Sequence, residues 1–256
     1  MTCASPFRWT SSARSDAGRV REINEDACLD QPELGRWAVA DGMGGHAVGD
    51  LASRLVIDTL SRLASAASMK TSVADARARL QAANRQLRDE AARRQVQRIG
   101  STVVVMIACD RFCAYLWAGD SRLYLAREGG LRQLTRDHSQ VEQLKSLGVI
   151  TEEEARRHPA QHMITRAVGA TDSLELDDDA IEVADGDVFL LCSDGLSNEV
   201  ADDEILTVLT TASGDTASEA LIALALARGG RDNITAVVVR AEDPYASDKT
   251  LLNPTP

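Results

Sequence analysis

Residues 36–46 read RWAVADGMGGH. The apolar run at 37–40 predicts a short buried strand, and Asp41, which follows it, would be costly to bury without a positive partner. The glycines after Asp41 permit a sharp turn that leaves backbone carbonyls and amides accessible. Two interpretations compete for this segment: a carboxylate that binds a metal ion, or a loop that holds a phosphate.

The phosphate loop is the weaker interpretation. Residues 42–47 fit the loose G-x-G-x-x-G/A pattern of dinucleotide-binding proteins, between a predicted strand and a predicted helix. However, Asp41 would face the anionic pyrophosphate without a compensating cation. Two long helical patterns also precede the next strand, whereas a βαβ unit returns to a strand within about thirty residues. We therefore favour a metal ligand over a dinucleotide-binding oxidoreductase.

The composition is that of a globular protein, with 44% hydrophobic and 26% charged residues, and 256 residues allow one large domain or two small ones. The net charge is -11, from 39 acidic and 28 basic residues. This balance argues against binding to nucleic acid or anionic membranes. No apolar run is long enough for a membrane span, and the first residues lack the apolar core of a signal peptide, so we expect a cytoplasmic protein.

The cysteines give no pairing signal. They number 5, an odd count, and show no C-x-x-C spacing. We therefore expect neither a disulfide framework nor a zinc site. Cys109 and Cys192 lie in apolar runs and are predicted to be small core residues.

The hydrophobic pattern predicts helices packed outside antiparallel strands. Strands are predicted at 7–12, 26–29, 37–40, 102–109, 112–118, 122–126, 181–183, 187–192 and 234–240, and helices at 47–67, 73–97, 202–211 and 216–227. We expect an α+β fold, a four-layer α/β/β/α sandwich with two central, mainly antiparallel sheets. Residues 1–240 would form a single domain, 135–172 a polar flap beside a site, and 241–256 a disordered tail.

Four aspartates share one arrangement, since each lies beside a turn residue next to an apolar strand. They are Asp41, Asp120, Asp194 and Asp232. One Asp-Gly pair alone is only a turn signal. Four acids at strand ends would repel one another if they met at one rim of the sandwich, and cations between them would offset that repulsion. Carboxylate oxygens are the ligands that Mg²⁺ and Mn²⁺ prefer, whereas zinc favours nitrogen and sulfur.

These acids belong to a series of motifs that resembles the metal-dependent serine/threonine protein phosphatases of type 2C, in their compact bacterial form. The matching segments are GRVREINED at 18–26, DGMGGH at 41–46, GST at 100–102, AGDSR at 118–122, DHS at 137–139, SDGL at 193–196 and GRDNIT at 230–235. Each segment alone is a weak signal. Together they occur in the family's order over nearly the whole chain, and this combination is a specific signal.

The resemblance implies two Mn²⁺ or Mg²⁺ ions per chain and a weaker third. Asp41 would bridge the first two ions, and the Gly42 carbonyl would complete the second. Asp194 and Asp232 would hold the first ion. Asp120, together with Asp194, would serve the third.

The resemblance also implies the reaction, hydrolysis of phosphomonoesters on serine or threonine by a metal-bridging water. Arg21 would grip the phosphate through its planar fork. Glu25, Asp26 and Asn233 would orient metal-bound waters. The expected partners are phosphoserine and phosphothreonine proteins, with a cognate kinase whose signalling the enzyme would reverse. The alternative is a catalytically silent sensor or scaffold of the same fold, which the presence of every predicted ligand argues against.

One departure from the family pattern concerns the general acid. Met43 stands where eukaryotic members carry a histidine proposed to protonate the leaving group. His46, His138 and His162 are further candidates for this role, and a metal-bound water is another. The general acid therefore stays unassigned.

Overall fold

Two antiparallel β-sheets pack face to face between two layers of helices. The computed structural model describes residues 5–44, 48–64, 67–155, 157–212 and 216–246. The predicted α/β/β/α sandwich of the α+β class is confirmed.

Strands and helices are numbered in chain order. The strands are β1 (Arg8–Asp16), β2 (Asp26–Gln31), β3 (Arg36–Met43), β4 (Gly100–Ser101), β5 (Val103–Cys109), β6 (Phe112–Ala118), β7 (Arg122–Arg127), β8 (Gly130–Gln133), β9 (Asp177–Glu182), β10 (Val188–Cys192) and β11 (Ile234–Glu242). The helices are α1 (Gly49–Ser61), α2 (Met69–Arg94), α3 (Gln140–Ser146), α4 (Glu152–Ala155), α5 (Asp194–Ser197), α6 (Asp202–Thr211) and α7 (Ala217–Ala227). Among the described helices, none has the length and apolar character that a bilayer crossing requires.

The order of strands places chain segments that are distant in sequence side by side. One sheet has the order β1-β11-β10-β7-β8, and the other has the order β2-β3-β5-β6-β9, with β4 paired to β3. Neighbouring strands are antiparallel in both sheets. Strands β5 and β10 are buried along their whole length, because one face meets the other sheet and the opposite face meets helices.

Three apolar layers hold the four structural layers together. Trp37 and Phe189 lie in the layer between the sheets. Leu80 of α2 packs in the layer between the first helix pair and the sheet that contains β3. Leu221 of α7 packs in the layer against the sheet that contains β10. The site therefore sits on a body whose sheets are fixed from both sides.

Several boundaries differ from the prediction: α1 and α2 are shorter at their C-terminal ends, β9 starts earlier, and β4 and β8 were not predicted. Strand β1 continues to Asp16 and β11 continues to Glu242, past the predicted ends at 12 and 240. The reason is that β1 and β11 pair along their full length, from Arg8↔Glu242 to Asp16↔Ile234. The first residues of the predicted tail are thus part of the sheet. Residues 247–256 lie outside the described residues.

The prediction for the cysteines is partly wrong. Cys109 is buried as expected, but it is disulfide-bonded. Cys28, Cys113 and Cys192 are free thiols. An odd count without a spacing motif carries no information about distances in the fold, so this bond had no signal in the sequence.

Candidate metal centre

The predicted acids meet at one end of the sandwich. Asp41 lies near the end of β3 and pairs in register with Asp26 at the start of β2. Asp194 follows β10 and opens α5, while Asp232 precedes β11. Asp120 lies in the turn between β6 and β7. The charges of Asp26, Asp194, Asp120 and Asp232 all raise the pKa of Asp41, so both sheets contribute to one acidic cluster.

This cluster resists ionisation. Burial is the main cause that raises the pKa of Asp41 and of Asp194, and neighbouring carboxylates add to it. Burial, followed by the charge of Asp194, raises the pKa of Asp120 to about 8. The carboxyl groups of Asp41 and Asp194 share a hydrogen bond. Full ionisation of the cluster therefore requires positive charge to enter it.

The donors suit hard divalent cations. They are carboxylate oxygens and the Gly42 carbonyl, and the buried Oδ1 of Asp26 has no hydrogen-bond partner. Over the described ranges, no three His, Cys, Asp or Glu side chains form a finished ligand set. Asp232 pairs with Arg21, and the other oxygen of Asp26 accepts hydroxyl hydrogen bonds. To hold an ion, these side chains would have to turn toward one another.

Asp26 connects the two sheets. It accepts hydrogen bonds from Ser193 Oγ and Thr235 Oγ1, both at 2.7 Å. Burial raises its pKa to about 7, although the two hydroxyls act in the opposite direction. Ser193 and Thr235 belong to the SDGL and GRDNIT segments, but no pattern in the sequence assigned them this contact. Asp26 thus braces the rim on which Asp41 and Asp194 lie.

Glu25 and Asn233 also brace this rim. Asn233 Oδ1 accepts from the Glu25 amide at 2.8 Å, and its Nδ2 donates to the carbonyls of Ala17 and Ile23, each at 2.9 Å. Glu25 Oε1 accepts from the Gly49 amide at 3.1 Å, at the start of α1. These contacts fix the loops that carry the acids. Orientation of water by Glu25, Asp26 and Asn233 stays a prediction.

Arg21 lies at the edge of the cluster. Its Nη2 donates to Asp232 Oδ2 at 2.9 Å, and the Arg21 side chain is 54% exposed. The hydrogen bond to Asp232 is the main cause that raises the pKa of Arg21, so its charge is constant. The guanidinium is accessible from solvent and close to a predicted metal ligand.

Thr102 is a further residue that the sequence analysis did not assign. Its Oγ1 accepts from the Asp41 amide at 3.0 Å, and its own amide donates to the Asp41 carbonyl at 2.8 Å. The same Oγ1 lies 2.7 Å from Ser121 Oγ, beside Asp120. The backbone of Asp41 is thereby tied to the turn that carries Asp120.

The histidines differ in their surroundings. His138 is buried at the base of the predicted flap. His162 lies close enough to Asp194 for its charge to lower the pKa of that carboxyl. His46 lies outside the described residues, and Met43 at the end of β3 has no proton to donate. The general acid stays unassigned.

The raised pKa values predict the pH dependence of stability. Asp26 and Asp120 titrate at about 7 and about 8 in the folded protein, above their ordinary 3.8. Between pH about 4 and pH about 7 or 8, the folded state therefore holds protons that the unfolded state has already released. We expect the contribution of these two acids to the stability of protein stripped of divalent cations to be fully present below pH about 4 and to be lost as the pH rises through about 7 and 8.

Urea unfolding in the presence of a chelator, at several pH values across this window, measures the effect. Saturating Mn²⁺ should flatten the decline, because the cation replaces the protons. A chelated protein whose stability rises between pH 5 and pH 8 would contradict the placement of these acids.

Comparison with known proteins agrees with this geometry. The sequence matches the family model for protein phosphatase 2C over residues 17–226. It is 38% identical over 233 residues to the serine/threonine protein phosphatase PstP of Mycobacterium tuberculosis, an alignment that covers 91% of this chain. The chain spans only 45% of the length of that relative.

Solved structures share the fold. PppA, described as a key regulatory component of T6SS in Pseudomonas aeruginosa, superposes with a TM-score of 0.84 at 44% identity, covering 94% of this chain and 100% of that one. The catalytic domain of a PstP in complex with 2 manganese ions superposes with a TM-score of 0.84 at 35% identity, covering 93% and 100%. A solved structure that shares this fold thus contains two manganese ions. With its acidic rim and its match over most of its length, this chain belongs to the protein phosphatase 2C family.

Proposed function

We propose that this chain is a metal-dependent protein serine/threonine phosphatase that hydrolyses phosphomonoesters at the acidic rim. The observation that carries the proposal is the cluster of carboxyl groups, supplied by both sheets, with the exposed guanidinium of Arg21 at its edge. An acidic pocket alone would repel a phosphate dianion. Cations within the cluster and Arg21 beside it would together reverse that repulsion.

The proposed ligand assignment is the one that the family resemblance implies, and the clustering of these acids supports it. Asp41 would lie between two Mn²⁺ or Mg²⁺ ions, with Asp194 and Asp232 on the first and the Gly42 carbonyl on the second. Asp120 neighbours Asp194 and would serve a weaker third ion. When bound, the two principal cations would neutralise phosphate charge and lower the pKa of a water molecule.

The chain's own residues would orient the substrate. Arg21 would exchange its contact with Asp232 for two parallel hydrogen bonds to phosphate oxygens. Asp26 would keep the rim aligned through Ser193 and Thr235, since these bonds join the two sheets. The substrates would be phosphoserine and phosphothreonine proteins, among them a cognate kinase or its targets.

Phosphate release from a phosphothreonine peptide, with and without Mn²⁺, tests the proposal. We expect release with Mn²⁺ or Mg²⁺ and none after chelation. An intact, Mn²⁺-binding protein that releases no phosphate from a panel of phosphoserine and phosphothreonine peptides would instead support a silent scaffold. A phosphotyrosine peptide in the same panel tests the substrate class separately.

Replacing Arg21 tests its role in phosphate binding. We expect Arg21→Ala to lower kcat/KM for a phosphopeptide by about 10²-fold, the scale of two charge-assisted hydrogen bonds. Arg21→Lys should recover only part of this loss, because a point charge lacks the planar fork. Arg19→Ala is the matched control, since Arg19 is an exposed arginine in the same loop. Equal losses for Arg19→Ala and Arg21→Ala would contradict a specific role.

A further inference from the structure

The turn that carries Asp120 is attached to the base of the flap. The Gly119 amide donates to His138 Nδ1 at 3.2 Å, and the His138 amide donates to the Gly119 carbonyl at 2.8 Å. Trp117 Nε1 donates to the Arg136 carbonyl at 2.8 Å. The rings of Trp117 and His138 are nearly parallel, with centroids 5.9 Å apart. His138 thus contacts this turn through both its backbone and its ring.

The opposite side of the turn contacts the residue that holds Asp41. Gly119 has φ +115°, and a Cβ added there would lie 2.7 Å from the Thr102 side chain. Only glycine permits so close an approach at this φ. Thr102 Oγ1 accepts a hydrogen bond from the Asp41 amide. The Gly119–Asp120 turn therefore lies between Thr102, which holds the backbone of Asp41, and the ring of His138.

The contacts of His138 determine its tautomer. A backbone amide can only donate, so Nδ1, which accepts from Gly119, carries no proton, and the neutral ring has its proton on Nε2. Nε2 lies 3.2 Å from Asp177 Oδ2 and donates to it. Arg166 Nη1 also lies 3.2 Å from Nε2, which cannot accept from it in this tautomer, and donates instead to Asp177 Oδ1 at 2.6 Å.

Both ends of the flap meet at this histidine. The Thr165 amide donates to the His138 carbonyl at 2.7 Å, and Arg166 follows it in sequence. Asp177 opens β9 directly after the flap. His138 is only 8% exposed, whereas the Asp177 and Arg166 side chains are 46% and 34% exposed. A displacement of the flap would therefore reach His138 through partners that are accessible to a bound protein.

We propose that His138 is a positioning residue that couples the flap to Asp120. Asp177 holds the tautomer with the proton on Nε2, and the free Nδ1 of that tautomer fixes the Gly119–Asp120 turn against Thr102. Contact of a substrate protein with the flap near Arg166 would thereby alter the position of the Asp120 carboxylate. This role in metal binding rests on the proposed function, whereas the coupling itself does not.

A matched pair of substitutions separates the two ring nitrogens. In His138→Asn the amide oxygen occupies about the place of Nδ1 and can still accept from Gly119, but the bond to Asp177 is lost. In His138→Gln the side-chain amide reaches about the place of Nε2 and can bond to Asp177, but the acceptor for Gly119 is lost. A purely space-filling role would make both variants similar.

Amide hydrogen exchange, followed by NMR without metal, gives the first measurement. We expect Gly119 exchange to accelerate about tenfold in His138→Gln, the scale of one hydrogen bond, and to stay near wild type in His138→Asn. Asp177→Ala should also accelerate Gly119 exchange, although the substitution leaves Gly119 and His138 themselves unchanged. In this variant, ¹⁵N spectra of the His138 ring should show a shift of the proton toward Nδ1. Exchange at Leu190 in the core serves as the control for global destabilisation.

Kinetics supply the second measurement. We expect kcat for a phosphopeptide with saturating Mn²⁺ to fall by about 10-fold to 100-fold in His138→Gln, as for other residues that orient ligands, and to recover in His138→Asn. The coupling would be overturned if Gly119 exchange were unchanged in His138→Gln, or if kcat were no higher in His138→Asn than in His138→Gln. Absence of phosphatase activity in the wild type would refute the proposed function alone, because the exchange measurement needs no turnover.

Discussion

Replacing Asp41 with asparagine should lower kcat for phosphopeptide hydrolysis by about 10³-fold or more at saturating Mn²⁺. A bound cation supplies several kcal/mol of charge stabilisation in the transition state, and each 1.36 kcal/mol is a factor of ten in rate. Asp41 is the acid whose pKa responds to all four neighbouring acids, so it lies at the centre of the cluster. Loss of the Asp41 carboxylate should weaken the binding of both principal ions together.

The stability of the same variant separates a ligand from a structural acid. Asparagine has nearly the shape of aspartate and keeps a hydrogen-bonding group for Asp194, but it has no charge to desolvate. Chelated Asp41→Asn should therefore be at least as stable as chelated wild type at pH 8, while Mn²⁺ should stabilise the variant much less than the wild type.

Asp58→Asn is the control for this experiment, because Asp58 is an exposed aspartate on α1. We expect it to keep wild-type activity and Mn²⁺ response. Full activity in Asp41→Asn would place the reaction at another site, and collapse of its fold would make Asp41 a structural acid.

Replacing Gly195 with alanine should damage the centre without removing any ligand. A Cβ at this position would lie 2.0 Å from the Asn233 carbonyl oxygen, which belongs to the backbone and cannot turn away. Gly195 follows Asp194, and Asn233 follows Asp232, so the clash would force the two acids apart. Overpacking of this kind costs about 1–3 kcal/mol, which predicts a fall in Tm of about 2–12 °C for a domain of this size.

Manganese titration measures the specific part of this effect. We expect the affinity of Gly195→Ala for Mn²⁺ to fall at least tenfold, because the ligands no longer converge. The control is Gly130→Ala in β8, where the nearest atom, the Arg127 carbonyl oxygen, lies 3.7 Å away. A variant with lowered Tm and wild-type Mn²⁺ affinity would show that this close packing serves the fold and not the centre.

The sequence predicted those features that depend on local pattern. Apolar runs located most of the strands, although not β4 or β8, and the recurring acid beside a turn identified Asp41, Asp120, Asp194 and Asp232. This worked because antiparallel strands joined by short turns expose their loops at sheet ends. The motif series then supplied the expected family, which the comparisons confirmed.

The sequence did not predict contacts between distant segments. Ser193 and Thr235 bind Asp26 across 167 and 209 residues, and neither pair has a spacing rule. The contact of His138 with Asp177 depends on where the flap returns to the sheet. The extent of β1 depended on its pairing with β11, not on its own residues. Such features arise from tertiary packing, which periodicity in one segment does not encode.

The most direct test is a crystal soaked in Mn²⁺ and measured with anomalous diffraction. We predict two strong peaks about 3.5–4 Å apart, with Asp41 between them and Asp194 and Asp232 on one of them. The hydrogen bond between Arg21 and Asp232 should be broken in this structure. Peaks elsewhere on the surface, with the carboxyl groups of Asp41, Asp194 and Asp232 still turned away from any cation, would contradict the central claim.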